Sequence, residues 1–430
     1  SRHFIPLAGI SNAESRFRGA GYAPVGLKMA DRKPRIAVVS PFLDKQHGTE
    51  RCVTEQLERL ATDYEFHVYS TRVADMDLRG VVWHRIPSIP GPHLVKYIWF
   101  LGANHVWRWA RRVLGGVDAD LIYSPGINCL DADLISVHVI FAKFYQSARE
   151  SLSFRQNVPR FWLRLLHRRL LYRLFISLER RVYTRQDLPL ITISSKARED
   201  LGKLYGRESN VSAVYYGVDP LKFSAEVRGR LRMAARSSLG YSEADFVILL
   251  IGNDWNNKGL RCLLEAARIV DRPWLKISVV GTDDRTPYRF LFESLGSQVL
   301  FFPLRADPEV YYAAADLYVG PSLEDAFALP PLEAMACGVP VIVSRQAGVS
   351  ELVTHGVDGY ILEDPEHPDE LAGLIAKLCE DRELREGMGR RAAGTARQYT
   401  WERNAEQLKC VFQQLLDRKR TESLPASRPR

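Results

Sequence analysis

Residues 317–344 read LYVGPSLEDAFALPPLEAMACGVPVIVS, an order that predicts a strand, a loop of small residues, a helix and a second strand. Leu317–Val319 is a short apolar run of the kind that forms buried strands. The helix is predicted to open at Pro330-Pro331, because proline fits a first turn whose N–H groups have no partner inside the helix. That start leaves the N–H groups of Phe327, Ala328 and Leu329 facing the space beyond the strand, with the positive end of the helix dipole behind them. Such a helix start seats an anion, and a diphosphate fits it. Asp325 and Glu333 bracket the seat with seven residues between them. Carboxylates accept strong hydrogen bonds from diols, so one suits sugar hydroxyls and the other ribose hydroxyls.

Outward from this stretch, apolar runs and helical patterns alternate. Arg35–Ser40, Glu65–Tyr69, Gly80–Ile86, Leu121–Ser124 and Leu134–Val139 read as strands, with helices at Glu50–Ala61 and Lys96–Leu114. A basic helical stretch, Val158–Arg185, follows. Strands are then predicted at Pro189–Ile193, Ser212–Tyr215, Phe246–Gly252, Leu275–Gly281, Gln298–Phe302 and Pro340–Ser344. Helices separate them around Leu260–Val270, Pro331–Ala336 and Pro368–Cys379. Alternation of this kind builds doubly wound parallel sheets, and two such halves place a cleft at the carboxyl ends of their strands.

Composition sets bounds on the reading. The chain has 430 residues, 46% of them hydrophobic, enough for two ordinary domains. Its six cysteines are scattered without a C-x-x-C pair, which suits a reducing compartment and gives no zinc or disulfide pattern. No apolar run is long enough to span a bilayer and no signal peptide is recognisable, so a cytoplasmic protein is expected. Residues 1–33 are read as a loose extension, with Met29 a candidate for the original start, and 418–430 as a disordered tail. The net charge of +8 favours an anionic partner without choosing among nucleotide, membrane and nucleic acid.

Pro321–Ser344 closely resembles the E-x7-E signature of family 4 retaining glycosyltransferases, which have the GT-B fold. Asp325 stands where the first Glu is usual, and Ala326 and Ala328 replace glycines. Gly252-Asn-Asp-Trp-Asn-Asn-Lys-Gly259 resembles the family's G-R-x-x-x-x-K-G segment, with Asn253 at the Arg position. Its wording is closer to the lipopolysaccharide-core glucosyltransferase branch. One of two phosphate cations is therefore absent or supplied from elsewhere. His47-Gly48-Thr49-Glu50 resembles the family's G-G-x-E turn. Fainter echoes are Ile191–Ser195, Tyr216–Asp219, Tyr312–Tyr318 and Gly348–Glu351. The resemblance covers roughly 35–416 and is strong beyond residue 190.

The resemblance implies two Rossmann-like domains facing across a cleft. The expected acceptor-side domain is 34–190, the nucleotide-sugar domain 191–400, and a helix over 401–417 crosses back to the first. It implies transfer of a sugar, with retention and without a metal or other cofactor, from a nucleotide-diphosphate donor to a glycan, glycolipid or other acceptor. Asp325, Lys258 and His138 are the expected catalytic residues. The donor is expected on Glu333, Phe327, Ala328, Leu329, Asn253, Gly252, Leu304 and Arg305, with His47 and Gly48 forming an acceptor-side loop. A nucleotide-sugar epimerase and a basic nucleic-acid-binding protein are the alternatives. The E-x7-E spacing argues against the first, and arginines gathered on a helix without stacking platforms argue against the second.

Two further patterns need weighing. Asp75-Met-Asp77, Asp118-Ala-Asp120 and Asp131-Ala-Asp133 spell D-x-D, but the last two precede their strands, as turn and strand-edge residues do. Between Arg155 and Arg185 stand nine arginines and one acid, Glu179, with Trp162, Leu166, Leu170, Leu174, Leu178 and Val182 at helical spacing. Two readings stay open for this stretch. It is a packed helix with a solvated basic face, or it docks peripherally on the anionic cytoplasmic membrane face.

Overall fold

The computed structural model describes residues 32–45, 48–114, 118–148 and 162–423. Residues 1–31 of the expected N-terminal extension, residues 424–430 of the expected C-terminal tail, His47, Arg155 and Arg160 lie outside the described residues. Two parallel sheets dominate. Phe246–Ile251, FVILLI, shows why: every residue is buried, so both faces of the strand are covered and the sequence is a continuous apolar run. In strand order the second sheet runs Val299–Phe302, Leu275–Val280, Phe246–Ile251, Leu317–Gly320, Val341–Ser344, Gly359–Leu362. This is the doubly wound order, with the chain reversing direction between Phe246–Ile251 and Leu317–Gly320.

The first sheet runs Val81–Arg85, Glu65–Ser70, Arg35–Val39, Leu121–Pro125, Leu134–Val137, Leu190–Thr192, Val211–Ala213. Its last two strands correct the expected boundary at residue 190. Leu190 pairs with Ile135 and Val211 with Leu190, so the first sheet continues to Ala213. Main-chain ladders between distant segments set this membership. A three-residue strand carries no sign of which sheet it will join.

Helix Trp401–Ser423 packs on the first half and runs past the expected end at 417, so 418–423 continue the helix where a disordered tail was expected. Ala405, Leu408, Phe412 and Leu416 are buried in one cluster with Ile36, Val38 and Phe66. Phe412 meets the edges of both Tyr64 and Tyr123 at 5.5 Å. Helix Ala225–Leu239, AEVRGRLRMAARSSL, had no clear apolar stripe in the sequence. Arg232 and Arg236 explain its docking, because they donate to the carbonyls of Ala313, Ala314 and Ala315 and to Asp316. These acceptors follow the end of helix Glu309–Ala314, where the dipole favours cations.

The basic stretch forms helix Trp162–Tyr183 over its described part. Only one end of the expected apolar stripe is packed: Val182 is buried, while Trp162, Leu166 and Leu170 are exposed. Glu179, the stretch's single acid, is fully buried. It accepts the N–H groups of Phe141 and Ala142 at 2.6 and 3.1 Å and the Tyr205 hydroxyl at 2.6 Å. Its charge therefore serves the start of helix Phe141–Ala148 and leaves the basic face uncompensated by its own helix.

Candidate active site

In open parallel sheets ligands bind beyond the carboxyl ends of the strands, where the chain changes direction. In the second sheet those ends carry two loops, Gly252–Gly259 after one strand and Pro321–Ala328 after the next. The loops touch. A Cβ on Gly259 would stand 1.9 Å from the Pro321 carbonyl oxygen, so only glycine allows the approach. The approach brings Lys258 onto Asp325, whose Oδ2 accepts from the ammonium. Both side chains are about one-fifth exposed, so the pair is open to a ligand. Gly252, expected to bind donor, lies beneath the aliphatic stem of Lys258.

The loop and helix start are present, with one difference in the N–H groups expected to face an anion. Helix Leu329–Ala336 opens after Ala328, with prolines in its first turn, as expected. However, the Phe327 N–H is taken by Asp325 Oδ1 at 3.1 Å, so it is not available to an anion. The Phe327 ring is fully buried and meets Tyr216 edge-on at 5.2 Å. Ala328 and Leu329 keep N–H groups with no acceptor among the described residues. Ala328 has φ +68°; a Cβ is strained there, so surrounding structure holds the turn. That support is visible. Asp325 and Phe327 exchange main-chain hydrogen bonds of 2.7–3.1 Å with Gln346, Gly348 and Val349.

Glu333 lies at the same cleft but is already engaged. Its Oε1 accepts from Arg51 Nη1 at 2.7 Å and its Oε2 from the Tyr312 hydroxyl at 2.5 Å. Arg51 comes from helix Gly48–Leu60 of the first half, so this pair crosses the cleft. Burial alone would lower the Arg51 pKa; the Glu333 carboxylate outweighs it and raises it. Neither Arg51 nor Tyr312 was singled out from sequence, although Arg51 directly follows His47–Glu50 and Tyr312 heads Tyr312–Tyr318.

The remaining expected residues divide. Asn253 is exposed and its Oδ1 accepts from the N–H and hydroxyl of Thr282 at 3.0 and 3.2 Å, so it ties two loops together and supplies no charge. Leu304 and Arg305 follow the edge strand Val299–Phe302 at the same end; Arg305 is held by Asp307 at 2.8 and 2.9 Å. Gly48 begins its helix, and a side chain there would meet open space rather than a close backbone. Glu324, the neighbour of Asp325, turns away to Lys196 Nζ at 2.7 Å. Members of the D-x-D runs are engaged locally: Asp77 with Arg79, Asp118 with Arg112, Asp131 with Arg108, and Asp120 and Asp133 with the N–H groups of Arg35 and Ile122. A cavity of about 1230 Å³ opens at the opposite, amino ends of the second sheet, where Arg232 and Arg236 serve the packing described above.

His138 sits just past strand Leu134–Val137 and is buried. Its Nε2 bonds Ser136 Oγ at 2.8 Å and its Nδ1 the Tyr216 hydroxyl at 2.7 Å. Burial pushes the His138 imidazole down to about 3, so it is neutral at working pH. An unfolded chain binds this proton near pH 6.5, so the native state loses stability as pH falls below that value, by up to about 1.4 kcal/mol per unit. His138→Gln should remove that component. Urea midpoints at pH 5 and 7 check it; an acid sensitivity unchanged in the variant would refute it.

Residues 232–395 match the family model of the Glycosyl transferases group 1. The matched region contains Lys258, Asp325, Glu333 and the helix start between them. WaaG, a glycosyltransferase involved in lipopolysaccharide biosynthesis, superposes with a TM-score of 0.71 at 21% identity, covering 87% of this chain and 99% of its own. Anabaena HepE, solved with UDP-glucose, superposes at 0.65 and 21% identity, covering 88% and 99%. At such identities the likeness establishes the fold, which is GT-B. A D-inositol 3-phosphate glycosyltransferase of Jonesia denitrificans is 28% identical over 244 residues, 53% of this chain; the match spans 57% of that relative's length.

Proposed function

We propose that the protein is a retaining, metal-independent glycosyltransferase of the family 4 type, moving a sugar from a nucleotide-diphosphate donor. The observation that carries the reading is the Lys258–Asp325 pair, open at the switch point beside the uncovered N–H groups of Ala328 and Leu329. As the glycosidic bond to the diphosphate breaks, negative charge grows on the phosphate oxygens. Lys258 and the two N–H groups stabilise it, and the helix dipole adds to them. Asp325, released by Lys258 to the phosphate, accepts hydrogen bonds from the sugar hydroxyls and orients the anomeric carbon toward the acceptor. His138, neutral and with both ring nitrogens engaged by Ser136 and Tyr216, acts by positioning Tyr216 near the acceptor side and not as a charged acid. HepE was solved with UDP-glucose, which makes a UDP-hexose the first donor to test. A thermal-shift screen against UDP-, GDP-, ADP- and dTDP-sugars tests the function, followed by transfer assays on the donor that stabilises. No stabilisation by any of them would overturn the reading.

The acceptor is a glycan or a lipid-linked glycan, at the cytoplasmic membrane face. Supporting this, Trp99, Trp109, Trp162 and Leu163 are exposed on helices His93–Val113 and Trp162–Tyr183, together with Arg112, Arg164 and Arg168. No described helix is long and apolar enough to cross a membrane, so aromatic and basic side chains would hold the surface. The protein is expected to co-sediment with anionic vesicles and not with neutral ones. Arg164→Glu with Arg168→Glu should release it, each cation contributing about 1 kcal/mol. Equal recovery in the supernatant with both vesicle types would leave a water-soluble acceptor such as an inositol phosphate.

A further inference from the structure

We infer that Arg51, reaching across the cleft from the first half, is the second diphosphate cation, parked on Glu333 until donor arrives. The inference rests on the glycosyltransferase reading. Its starting point is a charge imbalance: Asn253 supplies no cation, so a diphosphate at Ala328 and Leu329 meets Lys258 alone in the second half. Arg51 reaches Glu333, one turn into the helix that starts at Leu329. It packs over the Phe223 ring at 5.8 Å, and its ion pair with Glu333 is almost fully enclosed, at 17% and 5% side-chain exposure.

The two ion pairs share one design. Asp325 is held by Lys258 and Glu333 by Arg51, so each carboxylate suited to the donor's hydroxyls carries a cation suited to its phosphates. If a ribose diol takes Glu333, the guanidinium loses its partner inside a poorly solvated cleft, where an unpaired charge is costly. The diphosphate is the anion at hand, and guanidinium binds phosphate oxygens two at a time. Donor binding is then an exchange of partners in which hydroxyls take both carboxylates and phosphates take both cations. Because Arg51 belongs to the other half, the exchange also joins the two halves through the donor.

Titration calorimetry with UDP, GDP, ADP and dTDP, each beside its nucleoside, tests this. In Arg51→Met the preferred diphosphate should bind roughly 10- to 100-fold more weakly, while the nucleoside keeps its affinity within about twofold or gains. Adding Asn253→Arg to Arg51→Met puts a cation back in the second half and should recover most of the loss. That rescue separates a phosphate role from a merely structural one, and a melting scan confirms that both variants fold. Equal weakening of diphosphate and nucleoside, or no rescue, would overturn the inference and leave Arg51 a structural clamp. A parent protein that binds none of the diphosphates would instead bring down the glycosyltransferase reading itself.

Discussion

Lys258→Ala should lower turnover by about 10²–10³ while the protein stays folded. The scale is that of removing one preorganised group from developing charge. Lys258 is the one cation that the loop geometry aims at the seat: Gly259 must touch the Pro321 carbonyl, and this contact presses the lysine onto Asp325. The pair is partly exposed, so its loss costs little stability, and the melting temperature should move by only a few degrees. Steady-state transfer with the donor found by thermal shift reads the effect. Turnover within a few-fold of the parent would mean that another cation, with Arg51 the nearest candidate, carries the phosphate charge.

Asp325→Asn and Glu324→Gln should separate sharply. Asp325 faces Lys258 and the seat, so the amide should cut transfer by about 10² or more while nucleoside diphosphate affinity changes far less. Glu324 is buried against Lys196, and burial raises its carboxyl pKa against the pull of that lysine. Glu324→Gln should therefore leave turnover within a few-fold and show its effect as a lower melting temperature, because Lys196 keeps only Asp200. Single-turnover transfer, calorimetry and a melting scan on both variants give the ranking. The reverse order would place the sugar on Glu324 and shift the whole seat by one residue.

Much of the fold was legible because burial on both faces of a parallel strand leaves an unbroken apolar run, as in Phe246–Ile251 and Leu275–Val280. Pro330 and Pro331 likewise marked the helix start, since proline tolerates only the first turn. These are local facts: each depends on residues within a few positions of one another. The sequence by itself thus determined two doubly wound halves, the loop and helix start at 325–333 and a lysine near them. Tertiary structure alone decided who holds what. Glu333 meets Arg51 from 282 residues away, Glu324 meets Lys196 from 128, and Leu190–Thr192 joins the first sheet through main-chain ladders. The Phe327 N–H turns back to Asp325 within a segment that main-chain hydrogen bonds tie to 346–349, next to Ala328 at positive φ. Charge pairs and sheet membership carry no period along the chain; they exist only once packing has brought distant segments within hydrogen-bonding reach.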